Sequence, residues 1–288
     1  MVQAFKPMLC KLGTEDDLKN FSSGKCGKWL FEPKLDGARI IAVIRDGHVR
    51  LWGRSGIEKT HLFPDLKFDV KSDCVLDGEV LSGNTFNDLQ HRINRVNGIS
   101  ENIKQYPARY SVFDIVASGD TPIARFPLLT RKEMLRGVVN ETDNVKLTEW
   151  SDDGVKLFDL MKANQLEGVV GKAKDGLYHE NKREWLKVKC WQEGEFLAVG
   201  YTAGTGARAS TFGALVLCDI KGNYVGAVGT GFTDIMIRQL MRMFIPGPCR
   251  WAKEPEPAKW ILPFSIKVKY LEYTNGGQLR FPAFKGVV

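Results

Sequence analysis

The stretch WLFEPKLDGARII, Trp29 to Ile41, places four charged side chains between two apolar runs. Trp29, Leu30 and Phe31 lead into Glu32, Lys34, Asp36 and Arg39; Ile40, Ile41, Val43 and Ile44 continue the chain. The flanks read as core strands over 28–33 and 38–45. Charges among core strands are costly unless they are paired or neutralised. A surface hairpin with a charged tip is the plain explanation, and convergence of the charges on a bound ligand is the sharper one. Read as a strand, Glu32, Lys34 and Asp36 alternate onto one face, and Gly37 lets the backbone turn tightly after them.

Composition narrows the choice. A chain of 288 residues, 43% hydrophobic and 26% charged, suits two soluble domains or one large one. Its net charge of +7 favours a polyanionic partner. Six cysteines, at 10, 26, 74, 190, 218 and 249, form no CxxC pair, which argues against a zinc ribbon or a redox motif and suits a reducing compartment. No apolar run at the N-terminus resembles a signal peptide, and no segment approaches a membrane span. The expected location is cytoplasmic, or the host cytoplasm for a viral protein, with no membrane partner.

Periodicity divides the chain near Cys190 to Gly194. Before that point helices and antiparallel-looking strands mix. GTEDDLKNF reads as a helix capped by Thr14, and RDGH (Arg45–His48) as a hairpin turn. CVLDGEVL is a strand with Leu76, Gly78 and Val80 on one face and Asp77, Glu79 and Leu81 on the other. Phe86, Leu89, Ile93 and Val96 form a helical stripe. RYSVFDIVA, EGVVGK and EWLKVK are further strands; TRKEMLRGVV is a helix with a capping box at Thr130 and Glu133, and DDGVKLFDLMKANQ another helix. After the division, short glycine-bearing strands surround one helix, TDIMIRQLMRMF, which suits a small barrel such as an OB-fold. The expected class is α+β, with one domain over 1–189 and a small barrel over 190–288.

A lysine of ordinary pKa about 10.4 becomes a nucleophile only after losing a proton, and adjacent carboxylates oppose that loss. A divalent cation would favour it. A nucleophilic Lys34 therefore calls for oxygen ligands elsewhere, and Glu79 and Glu167, each beside a glycine, are the candidates. Singly, each is as readily an edge or cap residue. In WLKVK, Lys187 and Lys189 share a face with Trp185, where phosphates would supply the anions that two lysines need; a solvated strand face is the bland alternative.

These residues, taken in order, resemble a family. KLDGAR at 34–39, GRSG at 53–56, LDGE at 76–79, YSVFDI at 110–115, EGVVGK at 167–172 and WLKVK at 185–189 are similar to the ordered motifs of nucleotidyl transferases: ATP-dependent DNA ligases, RNA ligases and capping enzymes. FNDLQHRI, FGALVL, VGTGF and LRFPAFKG look most like the ligase domain of bacterial end-joining ligases and similar minimal ligases. The resemblance implies a nucleotidyltransferase (adenylation) domain with antiparallel sheets and flanking helices, followed by an OB-fold. It implies that Lys34 attacks the ATP α-phosphate, with Asp36 in the same catalytic motif. Glu32 would lie against the adenine and Phe113 would stack on it, although Phe113 also reads as a core aromatic. Arg39 and Arg54 would hold ribose or nick phosphate, Glu79 and Glu167 ribose and metal, and Lys187 and Lys189 the α-phosphate. ATP and Mg²⁺, or Mn²⁺ in its place, are the implied cofactors. The implied partner is nicked double-stranded DNA, bound by a monomer, with Arg54, Arg208 and Arg280 as DNA contacts.

The likeness has gaps. Asn181 stands where many relatives have an arginine, and Arg183 is out of register and receives no role. The chain stops at Val287 and Val288, just after RFPAFKG, which leads to the expectation of slowed self-adenylylation with Arg280 carrying part of the missing role. No separate DNA-binding domain precedes the motifs, so the two domains would grip the nick alone. TAGTGARAST (Thr202–Thr211) reads as a barrel turn rather than a phosphate cradle. The alternatives are an RNA ligase or mRNA-capping-type guanylyltransferase, and a non-catalytic OB-fold nucleic-acid binder.

Overall fold

The computed structural model describes residues 6–22, 28–83, 85–94, 99–251, 255 and 257–288. Contacts divide the chain into two units, Met1–Cys190 and Trp191–Val288.

In chain order the first unit contains β1 (Leu9–Leu12), α1 (Glu15–Ser22), β2 (Trp29–Pro33), β3 (Ala38–Arg45), β4 (His48–Gly53), β5 (Cys74–Ser82) and α2 (Phe86–Asn94). There follow α3 (Ile99–Gln105), β6 (Ala108–Ser118), α4 (Leu128–Val138), β7 (Val145–Leu147), α5 (Gly154–Ala163), β8 (Gly168–Ala173) and β9 (Arg183–Lys189). One sheet has the order β1-β9-β8-β2, and a second runs β7-β6-β5-β3-β4 with a two-residue strand, Thr121–Pro122, added to β6.

Three apolar layers explain this arrangement. Ile40, Ala42 and Ile44 of β3 join Leu76, Val80 and Val112 on the outer face of the larger sheet. Ile41 and Val43, one residue out of phase, turn inward to meet Phe113, Val116 and Trp185 between the sheets. Beyond the smaller sheet, Leu186 and Val188 pack with Leu18 of α1 and Phe158 and Met161 of α5. Burial on both faces is why β3 reads as an unbroken apolar run. At about 1.5–3 kcal/mol for each large side chain, these layers dominate the folding energy.

The question raised by the charged stretch has a topological answer. Trp29 to Pro33 belong to the smaller sheet and Ala38 to Arg45 to the larger one, so Lys34–Gly37 is the crossing between them. The expected alternation of Glu32, Lys34 and Asp36 is corrected here: β2 ends at Pro33, and Lys34 and Asp36 lie on non-strand backbone. Gly37 is required by proximity, since a Cβ there would stand 2.3 Å from the Val80 carbonyl oxygen.

Local signals fare unevenly. Thr14 Oγ1 accepts from the Asp17 amide at 3.1 Å while Asp17 accepts from the Thr14 amide at 2.9 Å, a reciprocal cap on α1. Asp46 (φ 48) and Gly47 (φ 72) make the β3–β4 turn with the positive dihedrals such hairpins need. The capping box at Thr130 and Glu133 is not formed: Pro127 is the N-cap of α4 and both residues lie inside the helix. Val96, assigned to the α2 stripe, lies outside the described residues.

The second unit holds β10 (Gln192–Ala203), β11 (Phe212–Cys218), β12 (Tyr224–Val228), α6 (Asp234–Met243), β13 (Lys259–Tyr270) and β14 (Ala283–Val287). Its antiparallel sheet has the order β12-β11-β10-β13-β14, the strand set of an OB-fold. Ile237 and Leu240 bury one face of α6 against Phe212, Leu215 and Phe284, and Thr233 caps the helix by accepting from the Met236 amide. TAGTGARAST holds the last two residues of β10 and the β10–β11 connection, as the barrel-turn reading expects.

Candidate active site

A cavity of 380 Å³ opens beside the Lys34 crossing. Its charged lining comprises six cations (Lys34, Arg39, Arg54, Lys172, Arg183 and Lys187) and two carboxylates (Glu32 and Glu79). The size suits a nucleotide-sized ligand, and the surplus of cations suits a polyanion.

Lys34 sits where β2 leaves the smaller sheet, with its amide donating to the Gly168 carbonyl at 2.8 Å. Its Nζ reaches Glu167 Oε2 at 2.6 Å, and Lys189 Nζ reaches the other oxygen, Oε1, at 2.8 Å. Glu167 is 9% exposed, so two ammonium groups share one nearly dry carboxylate. Lys187, two residues before Lys189 on β9, lines the cavity. Burial lowers the pKa of its ammonium, and the neighbouring charges of Lys189 and Lys34 add to that.

Deeper in, Glu32 is buried, with Lys132 on Oε1 and Lys172 Nζ 2.6 Å from Oε2. Phe113 borders the cavity and the inter-sheet core at once, so its two readings are compatible. The Arg39 guanidinium lies over the Phe113 ring, 4.5 Å from its centroid, and 5.1 Å from that of Trp185. It is already bidentate to buried Asp77, at 2.5 and 2.6 Å, and Tyr178 also donates to Asp77 at 2.6 Å. Arg39 therefore reaches the cavity as a braced side chain. Arg54, in the exposed turn after β4, lines the mouth. Asp36 lies on the Lys34–Gly37 crossing but is not among the lining residues.

Glu79 faces the cavity from β5. Burial raises its carboxyl to about 7, an effect that Arg39 and Lys34 only partly offset. Among the described residues no group of three or more His, Cys, Asp or Glu side chains gathers as a metal site. The donor set nonetheless fits a magnesium ion that arrives with phosphates, because such ions need only one or two carboxylates from the protein. Glu79 is the open one; both Glu167 oxygens are engaged by lysines.

The structure thus brings Glu32, Lys34, Arg39, Arg54, Glu79, Phe113 and Lys187 onto one cavity, with Glu167 joined to it through Lys34 and Lys189 through Glu167. Arg208 and Arg280 belong to the second unit: Arg208 donates to the Gly229 carbonyl at 3.1 Å, and Arg280 pairs with Glu272 at 2.6 Å. Three cations that line or support the cavity had no assigned role. Lys172 ends the EGVVGK motif and was legible there. Arg183 borders the cavity and donates to the Cys10 carbonyl at 3.1 Å. Lys132 carries no motif signal at all.

Residues 7–189 match the family model described as the ATP dependent DNA ligase domain, and residues 208–287 match the ATP dependent DNA ligase C terminal region. The chain belongs to the ATP-dependent DNA ligase family. A DNA ligase of Thermoplasma volcanium is 30% identical over 337 residues, covering 98% of this chain and 57% of that protein. The multifunctional non-homologous end joining protein LigD of Pseudomonas aeruginosa is 30% identical over 289 residues, covering 91% of this chain and 34% of that protein. The chain thus spans between a third and somewhat more than half of these relatives. Among solved structures, the ligase domain of Mycobacterium tuberculosis LigD is similar with a TM-score of 0.55 at 25% identity, covering 100% of this chain and 96% of that one. A Lig E DNA ligase shares the fold at a TM-score of 0.68 and 17% identity over 100% of both chains. Among the described residues no helix is long and apolar enough to cross a membrane.

Proposed function

We propose that this ligase-family chain seals nicks in duplex DNA, working as a monomer through a covalent lysine-AMP. The observation that carries the reading is Lys34 lining a cation-rich cavity together with Lys187, and sharing Glu167 with Lys189. The Lys34 amine attacks the α-phosphorus of ATP; a P–N bond forms, a P–O bond breaks and pyrophosphate leaves. Lys187 and Lys189 stabilise the charge on the α-phosphoryl oxygens, and Arg39, held by Asp77, keeps its position at the cavity wall. Phe113 and Glu32 receive the base, and Glu79 receives the ribose or a cation. Glu79, the carboxylate left open, would hold magnesium, which would add positive charge at the phosphates when bound. The AMP then passes to a DNA 5′-phosphate, and a 3′-hydroxyl displaces it. Arg54, Arg208 and Arg280 supply backbone contacts to the duplex.

The relatives named DNA ligase and LigD support DNA as the substrate over RNA. The test is incubation with magnesium and α-labelled ATP, followed by denaturing electrophoresis. Label on the wild-type chain, lost in Lys34→Ala, together with sealing of nicked DNA in preference to nicked RNA, is the expected result. Label from GTP alone, or sealing of RNA alone, would overturn the reading.

A further inference from the structure

Glu32 on β2 and Lys172 on β8 are diagonal neighbours of an antiparallel pair, Glu32 standing opposite Val170 and Lys172 opposite Leu30. Their contact at 2.6 Å follows from sheet register. Lys132 arrives separately from α4, one hundred residues along the chain, and takes the other Glu32 oxygen. It does not line the cavity, whereas Glu32 does. Lys132 is 5% exposed, Glu32 2% and Lys172 1%. The Lys172 ammonium is further enclosed by the rings of Phe113 and Trp185, 4.2 and 4.0 Å from their centroids.

An ionised carboxylate only accepts hydrogen bonds, and each oxygen has more than one acceptor direction. With one ammonium on each oxygen, the plane of the Glu32 carboxylate is fixed, and each oxygen keeps an acceptor direction for a ligand in the cavity that Glu32 lines. An exocyclic amine on a base would fill one. A base with a carbonyl at that position would face the two carboxylate oxygens, which have no proton to offer it. Without Lys132, Oε1 would be left in a dry site with no donor behind it, and the side chain would be free to turn.

We propose that Lys132 is a positioning residue for base selection, holding Glu32 from behind so that its carboxylate accepts a 6-amino purine and refuses a 6-oxo purine. The inference rests on the ATP-dependent ligase reading. It assigns a helix residue outside every sequence motif to the choice of nucleotide.

The experiment measures covalent labelling of wild type, Lys132→Met and Lys132→Arg over a range of α-labelled ATP and α-labelled inosine triphosphate, which differs from ATP at the 6-position. Losing one charge-assisted partner of Glu32 should raise the half-saturating ATP concentration about tenfold or more. The maximal labelling rate should change far less, the preference for ATP over inosine triphosphate should shrink, and Lys132→Arg should restore both. Because Lys132→Met can also loosen the fold, each variant is melted, and Glu32→Gln is assayed beside it. An amide at position 32 can donate, so its preference should move toward the 6-oxo base. A folded Lys132→Met with unchanged preference, or a loss confined to the maximal rate, would overturn the inference. Should Lys132→Met not fold, a Glu32→Gln preference equal to wild type would overturn it. Wild-type protein that takes no label from either nucleotide would overturn the ligase reading itself.

Discussion

Lys34 and Glu167, 133 positions apart in the chain, meet side chain to side chain at 2.6 Å. Lys189 closes the other side of the same carboxylate at 2.8 Å. One buried anion thus holds together Lys34, the proposed nucleophile, and Lys189, a proposed phosphate ligand. Glu167→Gln keeps the shape and removes the charge, leaving two ammonium groups facing an amide. Labelling by ATP should fall about 10- to 100-fold, with a stability loss of about 1.5–3 kcal/mol, the usual worth of hydrogen bonds to a charged group. Timed labelling and urea unfolding measure the two effects separately. A rate equal to wild type would show that Lys34 needs no such partner.

Glu79 gives a pH signature. Burial raises its carboxyl from 4.5 to about 7 in the fold. A raised pKa means that the native state holds a proton the unfolded chain has released. The group's stabilising contribution is therefore full below about pH 4.5 and is lost as pH climbs to about 7, beyond which it changes no further. Glu79→Gln cannot ionise and should lack this component. Urea midpoints at about pH 5, 6, 7 and 8 test it: the wild type should decline more steeply than the variant across the lower interval. Parallel curves would place the titration elsewhere.

The sequence made part of this site legible and hid the rest for physical reasons. WLKVK could be read because strand alternation is rigid: Trp185, Lys187 and Lys189 do share a face. Glu32, Lys34 and Asp36 could not, because alternation holds only within one sheet and the chain changes sheets after Pro33. Thr130 and Glu133 had the capping spacing, yet α4 starts a turn earlier, at Leu128, with Pro127 as its N-cap. Lys132 was invisible for another reason. A lysine on a helix is ordinarily solvated, and only the position of α4 against the larger sheet brings it to Glu32.

Arg131, beside Lys132, belongs to the fold rather than to the cavity. It is fully buried and bidentate to Asp114 at 2.8 and 2.9 Å, and it donates to the carbonyls of Phe126 and Gly176. Arg131→Met would leave Asp114 charged and unpaired in the core. The expected loss is about 3–5 kcal/mol of stability, the range for breaking a buried pair. Thermal and urea unfolding check it. A variant within about 1 kcal/mol of wild type would mean that Asp114 finds another partner.

Two glycines should respond to alanine in opposite directions. Gly168 has φ 142, and a Cβ there would stand 2.0 Å from the Val188 carbonyl oxygen, a backbone atom of the paired strand that cannot swing aside. Relief requires β8 and β9 to part, and Glu167 and Lys189 sit on either side of that seam. Gly168→Ala should therefore cost about 2 kcal/mol or more and also slow labelling, since the ion pairs around Lys34 are displaced with the backbone. Gly137, exposed near the end of α4, has open space where a Cβ would stand, with nothing beyond its own helix backbone within 4 Å, and an ordinary helical backbone. Gly137→Ala should stabilise the protein by about 0.5–1 kcal/mol and leave labelling unchanged. Unfolding midpoints and labelling rates on both variants settle the contrast. A Gly168→Ala protein that melts early yet labels at the wild-type rate would uncouple the β8–β9 seam from the geometry of the nucleophile.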